Sequence, residues 1–244
     1  MKGMAVWFFV SLLSSAVQTT TGFGYAIVAL AILPLFVTDM PLLTAEISCI
    51  AVWVSVMNLV RRRDCINYRI IIPELVAFLL VQPLATSFSM KADFSVMTAI
   101  LGAVLFLLSL FFFFNPKNLK IPARWYIGLV AGAISGLIGG LFAISGPPVA
   151  IYLLASSKSR EEYIETLSFH FVLTSIFIVA IRLWSGALTA SAVPSILSGI
   201  AGLAIGYYLG RILCTRIKDE MFTRYVCIFT GLSGLYYMIS YFIG

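Results

Sequence analysis

The stretch from Gly136 to Leu154 carries the groups whose types and spacing best fit a binding site. It reads GLIGGLFAISGPPVAIYLL and is apolar except at its centre, where a Ser-Gly-Pro-Pro block interrupts it. Two prolines withdraw two amide donors and clash with the preceding turn, so no helix runs unbroken through this block. A helix that starts again there presents unpaired amides and a positive dipole end, which favours an anion. The candidate donors are Ile144, Ser145 and Gly146.

A second, weaker break interrupts Thr19 to Phe36, which reads TTTGFGYAIVALAILPLF. Glycine lets a ligand approach the backbone, and hydroxyl groups add donors without the cost of burying a cation. Two such helix ends converging on one cavity would hold a small anion such as a carboxylate or sulfonate. The alternative is that the glycines only allow helices to pack closely. The candidates here are Thr20, Thr21, Gly22, Phe23, Gly24 and Tyr25, with Gln18 one turn earlier positioned to line the cavity.

Isolated polar side chains in the apolar segments suggest further chemistry. His170 lies within a span, where an ionisable residue indicates a proton carrier or a substrate contact. The alternative is a neutral histidine bonded to a carbonyl of a neighbouring helix. Glu46 would carry protons if buried, but it is expected to reach water at the interface, and Arg182 is expected to snorkel to the outer surface. An intramembrane enzyme with a Ser145 nucleophile and a His170 base is disfavoured, because no G-x-S-x-G turn and no carboxylate placed to orient the histidine are evident.

The composition restricts the elements that must position these residues. Hydrophobic residues make up 61% of the 244 residues, charged residues 11%, and the mean hydropathy is +1.04. A soluble domain would lack the polar surface to cover itself, so the chain is predicted to be a polytopic membrane protein in contact with the lipid bilayer. The net charge of +6 lies in loops, which argues against nucleic-acid binding. Four dispersed cysteines and one histidine argue against zinc or iron–sulfur sites and against disulfides, so no cofactor is expected.

The predicted fold is all-α, with about eight hydrophobic segments in two repeats of inverted topology, each opening with a broken or re-entrant helix. Residues 1–114 form repeat 1, residues 115–124 a cytoplasmic linker, and residues 125–244 repeat 2. Met4 to Val37 and Trp125 to Ala155 are both too long for one straight span. The expected plain spans are Leu42 to Val60, Ile70 to Ser89, Phe94 to Phe114, Tyr163 to Trp184, Ala190 to Leu209 and Tyr225 to Tyr241, with a charged loop at 214–224 before the last. Small residues in Ala190 to Leu209 predict close helix packing.

Loop charges indicate how the second broken segment crosses. If every segment simply spans, the 16 Lys and Arg residues divide almost evenly between the two sides. If Trp125 to Ala155 enters and returns on the same face, and the first segment does too, thirteen of the 16 lie inside. The positive-inside rule favours the re-entrant arrangement, which places the halves upside down relative to each other. Charge leaves open whether the first segment is a hairpin or a span.

The two broken motifs together resemble those of the sulfite exporter TauE/SafE family, also called the 4-toluene sulfonate uptake permease family. The resemblance covers the whole chain in segment order, and the SGPP motif is its most specific part. It implies transport of sulfite, organosulfonates or related organic anions across the bacterial inner membrane with the use of an ion gradient. Carried over to this chain, it points to Thr21, Gly22, Phe23 and Gly24 and to Ser145, Gly146, Pro147 and Pro148.

The sequence therefore predicts a multi-pass inner-membrane permease for a small organic or sulfur-containing anion, coupled to a proton or ion gradient. The substrate-binding residues are expected to be those of the two breaks together with Gln18 and His170. A passive anion channel and, less favoured, an intramembrane enzyme are the alternatives. The substrate, the direction of transport, the coupling ion and the number of subunits stay open, a homodimer being one option.

Overall fold

Ten α-helices make up the fold in a computed structural model that describes residues 2–21, 24–59, 65–114, 124–216 and 219–243. The described residues contain no strand and include two short 3-10 turns, Leu33–Leu35 and Ala190–Ala192. The helices are α1 (Lys2–Thr21), α2 (Tyr25–Ile32), α3 (Met40–Leu59), α4 (Tyr68–Ser89), α5 (Phe94–Phe114), α6 (Trp125–Phe142), α7 (Gly146–Ser156), α8 (Arg160–Trp184), α9 (Val193–Arg216) and α10 (Asp219–Ile243).

Eight of the described helices are long and apolar enough to cross a membrane, and α2 and α7 are the two short ones. A helix of 20 residues is about 30 Å long, close to the hydrocarbon thickness of a bilayer. The all-α fold and the eight hydrophobic segments are therefore confirmed. Both predicted breaks are present, because α1 stops before α2 and α6 stops before α7.

The last two helices extend further than the hydropathy predicted. The 214–224 stretch was expected to be a charged loop, but α9 continues to Arg216 and α10 already begins at Asp219. Charged residues lower the hydropathy without breaking the backbone hydrogen bonds of a helix. The apolar pattern therefore marks where a helix leaves the hydrocarbon, and the helix itself continues beyond that point.

Helices α1 and α3 both run parallel to α9. Gly202 and Gly206 of α9 lie against the backbone carbonyls of Phe8 and Leu12 on α1, so the two helices run in the same direction. Along α3, Glu46 meets Ser195 and Ile50 meets Gly199. Since α1 and α3 point the same way, the chain between them, including α2, must return, and the first broken segment is a hairpin.

Helices α4, α6 and α8 run parallel to one another in the same manner. Gly132, Gly136 and Gly140 of α6 lie against the carbonyls of Glu74, Phe78 and Gln82 on α4. The start of α8 bonds the start of α4, and Arg182 near the end of α8 bonds Ser89 at the end of α4. Helix α7 therefore returns between α6 and α8, as Tyr152 beside Gly128 also indicates.

Glycines at four-residue spacing hold both of these parallel pairs together. A Cβ at Gly132 would come 2.0 Å from the Glu74 carbonyl oxygen, and one at Gly206 would come 2.1 Å from that of Leu12. Only a residue without a side chain allows backbones this close. The close packing predicted from the small residues of Ala190 to Leu209 is confirmed on α9.

The helix directions place most of the basic loops at one end of the molecule. Helices α4, α6 and α8 begin at that end, with Arg69, Arg124 and Arg160. Helices α3 and α9 end there, and so does α5, because α5 runs antiparallel to α10 with Ser109 bonded to Cys227 and Gly102 packed on Gly234. Lys91 and Arg182 lie towards the opposite end. The predicted cytoplasmic linker lies outside the described residues apart from Arg124.

Candidate functional site

The two breaks meet at one cavity of about 40 Å³. Five helices contribute to its wall, and among the described residues no charged side chain lines it. Seven of the predicted site residues belong to the wall. The lining residues are Gln18, Gly24, Tyr25, Ala26, Ile27, Ala51, Ser55, Ala143, Ile144, Ser145, Gly146, Pro147, Phe171 and Ser175.

At the second break, the chain reverses over three residues and leaves several donors free. Ala143 ends α6 in the left-handed conformation with φ 59°, and its amide closes the helix on Gly139. The Ser135 hydroxyl donates to the carbonyl of Ser145, which fixes the turn. The described residues offer no hydrogen-bond partner to the Ser145 hydroxyl or to the Ile144 and Ser145 amides. These groups are therefore available to a ligand in the cavity.

Pro147 and Pro148 direct the start of α7 towards the same space. Both follow Gly146 within the first turn of α7, where amides have no acceptor inside the helix. Proline has no amide hydrogen, so it costs no hydrogen bond at this place and fixes the backbone for a helix. Pro147 lines the cavity, whereas Pro148 does not.

Arg182 occupies a position that its place in the sequence did not indicate. The prediction that it snorkels to the outer surface is wrong, because its side chain is buried. Its guanidinium donates to the Gly140 carbonyl at 2.6 Å and the Leu141 carbonyl at 3.4 Å, and to the Ser89 hydroxyl at 3.3 Å. A cation on the last carbonyls of α6 offsets the negative end of that helix dipole. The cavity is thus left with the positive end of α7.

At the first break, a side chain of the protein itself satisfies a backbone amide, whereas no described side chain does this at the second break. Gly24 precedes α2 in the left-handed region, with φ 114°, where glycine is strongly favoured. The Gln18 Oε1 atom accepts the Tyr25 amide at 3.0 Å, so the start of α2 is partly satisfied within the chain. The Gln18 Nε2 group, which carries two donors, has no partner among the described residues. The Tyr25 hydroxyl bonds the Ser11 hydroxyl at 2.7 Å.

Of the two threonines predicted to belong to the site, the structure describes the side chain of Thr20 but not that of Thr21. The Thr20 hydroxyl donates to the Ala16 carbonyl of its own helix at 2.8 Å, and Thr20 does not line the cavity. Thr21 ends α1. Gly22, Phe23 and the Thr21 side chain lie outside the described part of the chain.

His170 is paired with a carboxylate that the sequence did not reveal as its partner. Its Nδ1 atom lies 3.0 Å from Glu74 Oε2, and both side chains have no exposed surface. The second carboxylate oxygen and His170 Nε2 have no hydrogen-bond partner among the described residues. His170 is not part of the cavity wall, but Phe171, the next residue, is. The available signal was an acidic residue within an apolar span, yet nothing in the sequence connects positions 74 and 170.

The rest of the wall comes from helices that sequence reasoning did not include in the site. Ala51 and Ser55 belong to α3, and Phe171 and Ser175 belong to α8. These residues are ordinary span residues by type, and only the packing of α3 and α8 against the breaks brings them to the cavity. Glu46, expected to reach water at the interface, is only 3% exposed.

A helical bundle with eight long apolar helices and a neutral, donor-lined cavity between two interrupted helices defines a multi-pass membrane protein of the transporter type. The family model of the sulfite exporter TauE/SafE family matches residues 7–237, and the chain belongs to this family.

One curated relative is similar over most of its length. It is described as "Probable sulfite/organosulfonate exporter TauE" of Cupriavidus necator and is 23% identical over 198 residues, which cover 80% of this chain and 77% of the relative. No solved structure matches the chain. The family and the apolar helices fit the predicted location in the bacterial inner membrane.

Proposed function

We propose that this protein moves a small sulfur-containing or organic anion, such as sulfite or a short organosulfonate, across the membrane through the cavity at the two breaks. The observation that carries the proposal is that both breaks contribute to one cavity wall, in which the described residues offer neutral donors and no charged side chain. Membership of a family of sulfite exporters and the name of the Cupriavidus necator relative support the substrate class.

The hydrogen-bond donors of the cavity suit an anion that must be released again after it has been bound. Gln18 Nε2, the Ser145 hydroxyl and the backbone amides at 144 and 145 can each donate to an oxyanion. Neutral donors and a helix dipole attract negative charge. They avoid the strong pairing that a buried lysine or arginine would impose, so binding can stay weak enough for release.

The size of the cavity favours a small headgroup. About 40 Å³ holds roughly three water molecules, at about 10–15 Å³ for each. A sulfite ion has four heavy atoms and is comparable in size. A longer sulfonate would place its anionic group in this cavity and need the surrounding helices to move apart for its organic part.

We also infer that residues 1–114 and 125–244 are repeats of inverted topology. The support is that the first helix of each half packs against the equivalent helix, the fourth, of the other half. In the first half α1 packs on α9, and in the second half the corresponding α6 packs on α4. Helices α5 and α10, the last of each half, pack on each other in antiparallel orientation. Such repeats commonly place the substrate at their interface, where rocking of one half against the other gives alternating access.

Proteoliposomes test the proposed function. Labelled sulfite and labelled methanesulfonate are offered with no gradient, with a proton gradient and with a membrane potential, and empty liposomes serve as the control. The proposed coupling to protons predicts accumulation above equilibrium when a proton gradient is imposed. Movement that never exceeds the electrochemical equilibrium of the anion itself, whatever the proton gradient, would support the channel, and no movement of either anion would overturn the proposed function.

A further inference from the structure

We propose that the Glu74–His170 pair is a proton-binding site and that its proton and the transported anion bind cooperatively. This inference rests on the proposed function, because it concerns the same cavity. The juxtaposition that points to it is a fully buried carboxylate–imidazole pair next to Phe171 of the cavity wall, in which each partner has one polar atom without a hydrogen-bond partner among the described residues.

The pair can bind a second proton in addition to the one shared in its hydrogen bond. With a single proton between Nδ1 and Oε2, the pair carries one negative charge, and neither His170 Nε2 nor Glu74 Oε1 has a hydrogen-bond partner in the described part of the chain. A second proton on Nε2 or on Oε1 makes the pair neutral. No bond breaks or forms apart from the one that the added proton makes, and the change in charge is +1.

Two aromatic contacts connect the pair to the cavity. The His170 ring lies 5.5 Å from that of Phe171, which lines the cavity. It also lies 5.9 Å from the ring of Phe78, which packs on Gly139 beside Ser145. Both aromatic neighbours of His170 therefore lie at or beside residues of the cavity wall.

Charge determines the sign of the coupling. An anion beside the singly protonated pair would place two negative charges close together in a medium of low dielectric constant. The additional proton removes this repulsion, so anion binding favours proton uptake and proton uptake favours anion binding to the same extent. In a carrier that changes its access only with both or neither bound, this cooperativity makes the proton and the anion move in the same direction, which the sum of their gradients sets.

Other titratable groups lie on the helices packed around the pair. The Tyr152 hydroxyl donates to the Ile70 carbonyl, one turn before Glu74, and Tyr152 is close enough to Glu74 for their charges to interact. Glu165 accepts the Cys65 amide, and Arg182 is bonded to the end of α6. The remaining titratable side chains are Tyr68 and Arg69 on α4, Tyr126 on α6, Glu46 and Cys49 on α3, and Arg160, Glu161, Glu162 and Tyr163 on α8.

Glu46 is the rival proton site, since it is also a buried carboxylate. It faces the hydroxyl of Ser195 on α9 and has no second titratable partner comparable to His170. Glu74 shares its hydrogen bond with an imidazole whose second ring nitrogen can itself bind a proton. Glu46→Gln is therefore the matched comparison for Glu74→Gln.

Calorimetric titration of the purified full chain with methanesulfonate tests the proposal, because this anion keeps its charge between about pH 5.5 and about pH 8. Titrations in two buffers of different ionisation enthalpy give the number of protons taken up per anion. The wild type is expected to take up protons and to bind about tenfold more tightly at the lower pH. Glu74→Gln and His170→Gln are expected to bind without proton uptake and with little dependence on pH.

The variants separate this proposal from its rivals. Proton uptake that persists in both Glu74→Gln and His170→Gln, or disappears in Glu46→Gln, would overturn it. Wild-type binding without proton uptake would overturn it too and leave the proposed function standing. No binding of methanesulfonate or sulfite at any pH would overturn the proposed function itself. If Glu74→Gln fails to fold, His170→Gln decides the question, because either change removes the pair.

Discussion

The two breaks satisfy their backbone groups by different means, and under the proposed function the difference indicates which break would hold the anion. At the first break, Gln18 satisfies the Tyr25 amide with its own side chain. At the second break, prolines remove amides that would need partners, Arg182 holds the carbonyls of α6, and the donors of Ile144 and Ser145 stay free. Under the proposed function, the second break therefore supplies most of the groups that bind the anion, and the first supplies the opposite wall and the Gln18 amide.

Replacing Arg182 should have the largest effect. Arg182→Met keeps much of the volume but removes the cation that bonds Gly140 and Leu141. Leaving these buried carbonyls short of a donor is expected to cost about 3 kcal/mol of stability. Thermal unfolding in detergent checks this, with Arg160→Met, exposed on the same helix, as the control. Equal melting temperatures for the two variants would show that Arg182 does not stabilise the second break.

Adding a methyl group at the close helix crossings should have the next largest effect. Gly132→Ala forces α6 away from the Glu74 carbonyl, and Gly206→Ala forces α1 away from α9. Each is expected to cost about 2 kcal/mol, because overpacked backbones must shift. Gly132→Ala should also weaken anion binding more than Gly206→Ala, since α6 leads to the second break.

The control for this pair is Gly3→Ala, because a Cβ at Gly3 meets no atom within 4 Å. Thermal unfolding gives the stabilities, and titration with methanesulfonate gives the affinities. If Gly206→Ala lowers affinity as much as Gly132→Ala, the two breaks contribute equally to binding and the proposed difference between them is wrong.

The smallest effect is expected for a single hydroxyl in the wall. Ser145→Ala removes a donor that is free to reach an anion, which should weaken binding about fivefold, equivalent to about 1 kcal/mol. Ser55→Ala is the matched control, because the Ser55 hydroxyl lines the same cavity but is already bonded to the Ala51 carbonyl. The control should bind within about twofold of the wild type. Similar losses in both variants would mean that the Ser145 hydroxyl has no special role.

The sequence predicted the fold class and the position of both breaks because those features depend on local chemistry. Apolar runs of sufficient length predict spans, and glycine and proline in the middle of such runs predict interruptions. Loop charge also predicted that the second segment re-enters, and the parallel directions of α4, α6 and α8 bear this out. For the first segment, only the structure distinguishes a hairpin from a span.

The partners of the site residues could not be predicted, because they come from packing between distant parts of the chain. Arg182 lies two residues before the end of its helix, which usually means access to the interface, yet here it is bonded to the end of α6. Glu74 and His170 are 96 residues apart in the sequence. The Thr20 hydroxyl was expected to serve a ligand, but it returns to its own helix, as serine and threonine hydroxyls commonly do.

The most direct test of the central claim is the position of a bound anion. Selenite is the selenium analogue of sulfite, and its selenium atom can be located by anomalous diffraction from a crystal of the complex. We predict a selenium peak in the cavity between Gln18 and Ser145, with oxygens within about 3.2 Å of their donors. A peak only among the basic residues at the end of the bundle, with the cavity unoccupied, would contradict the account.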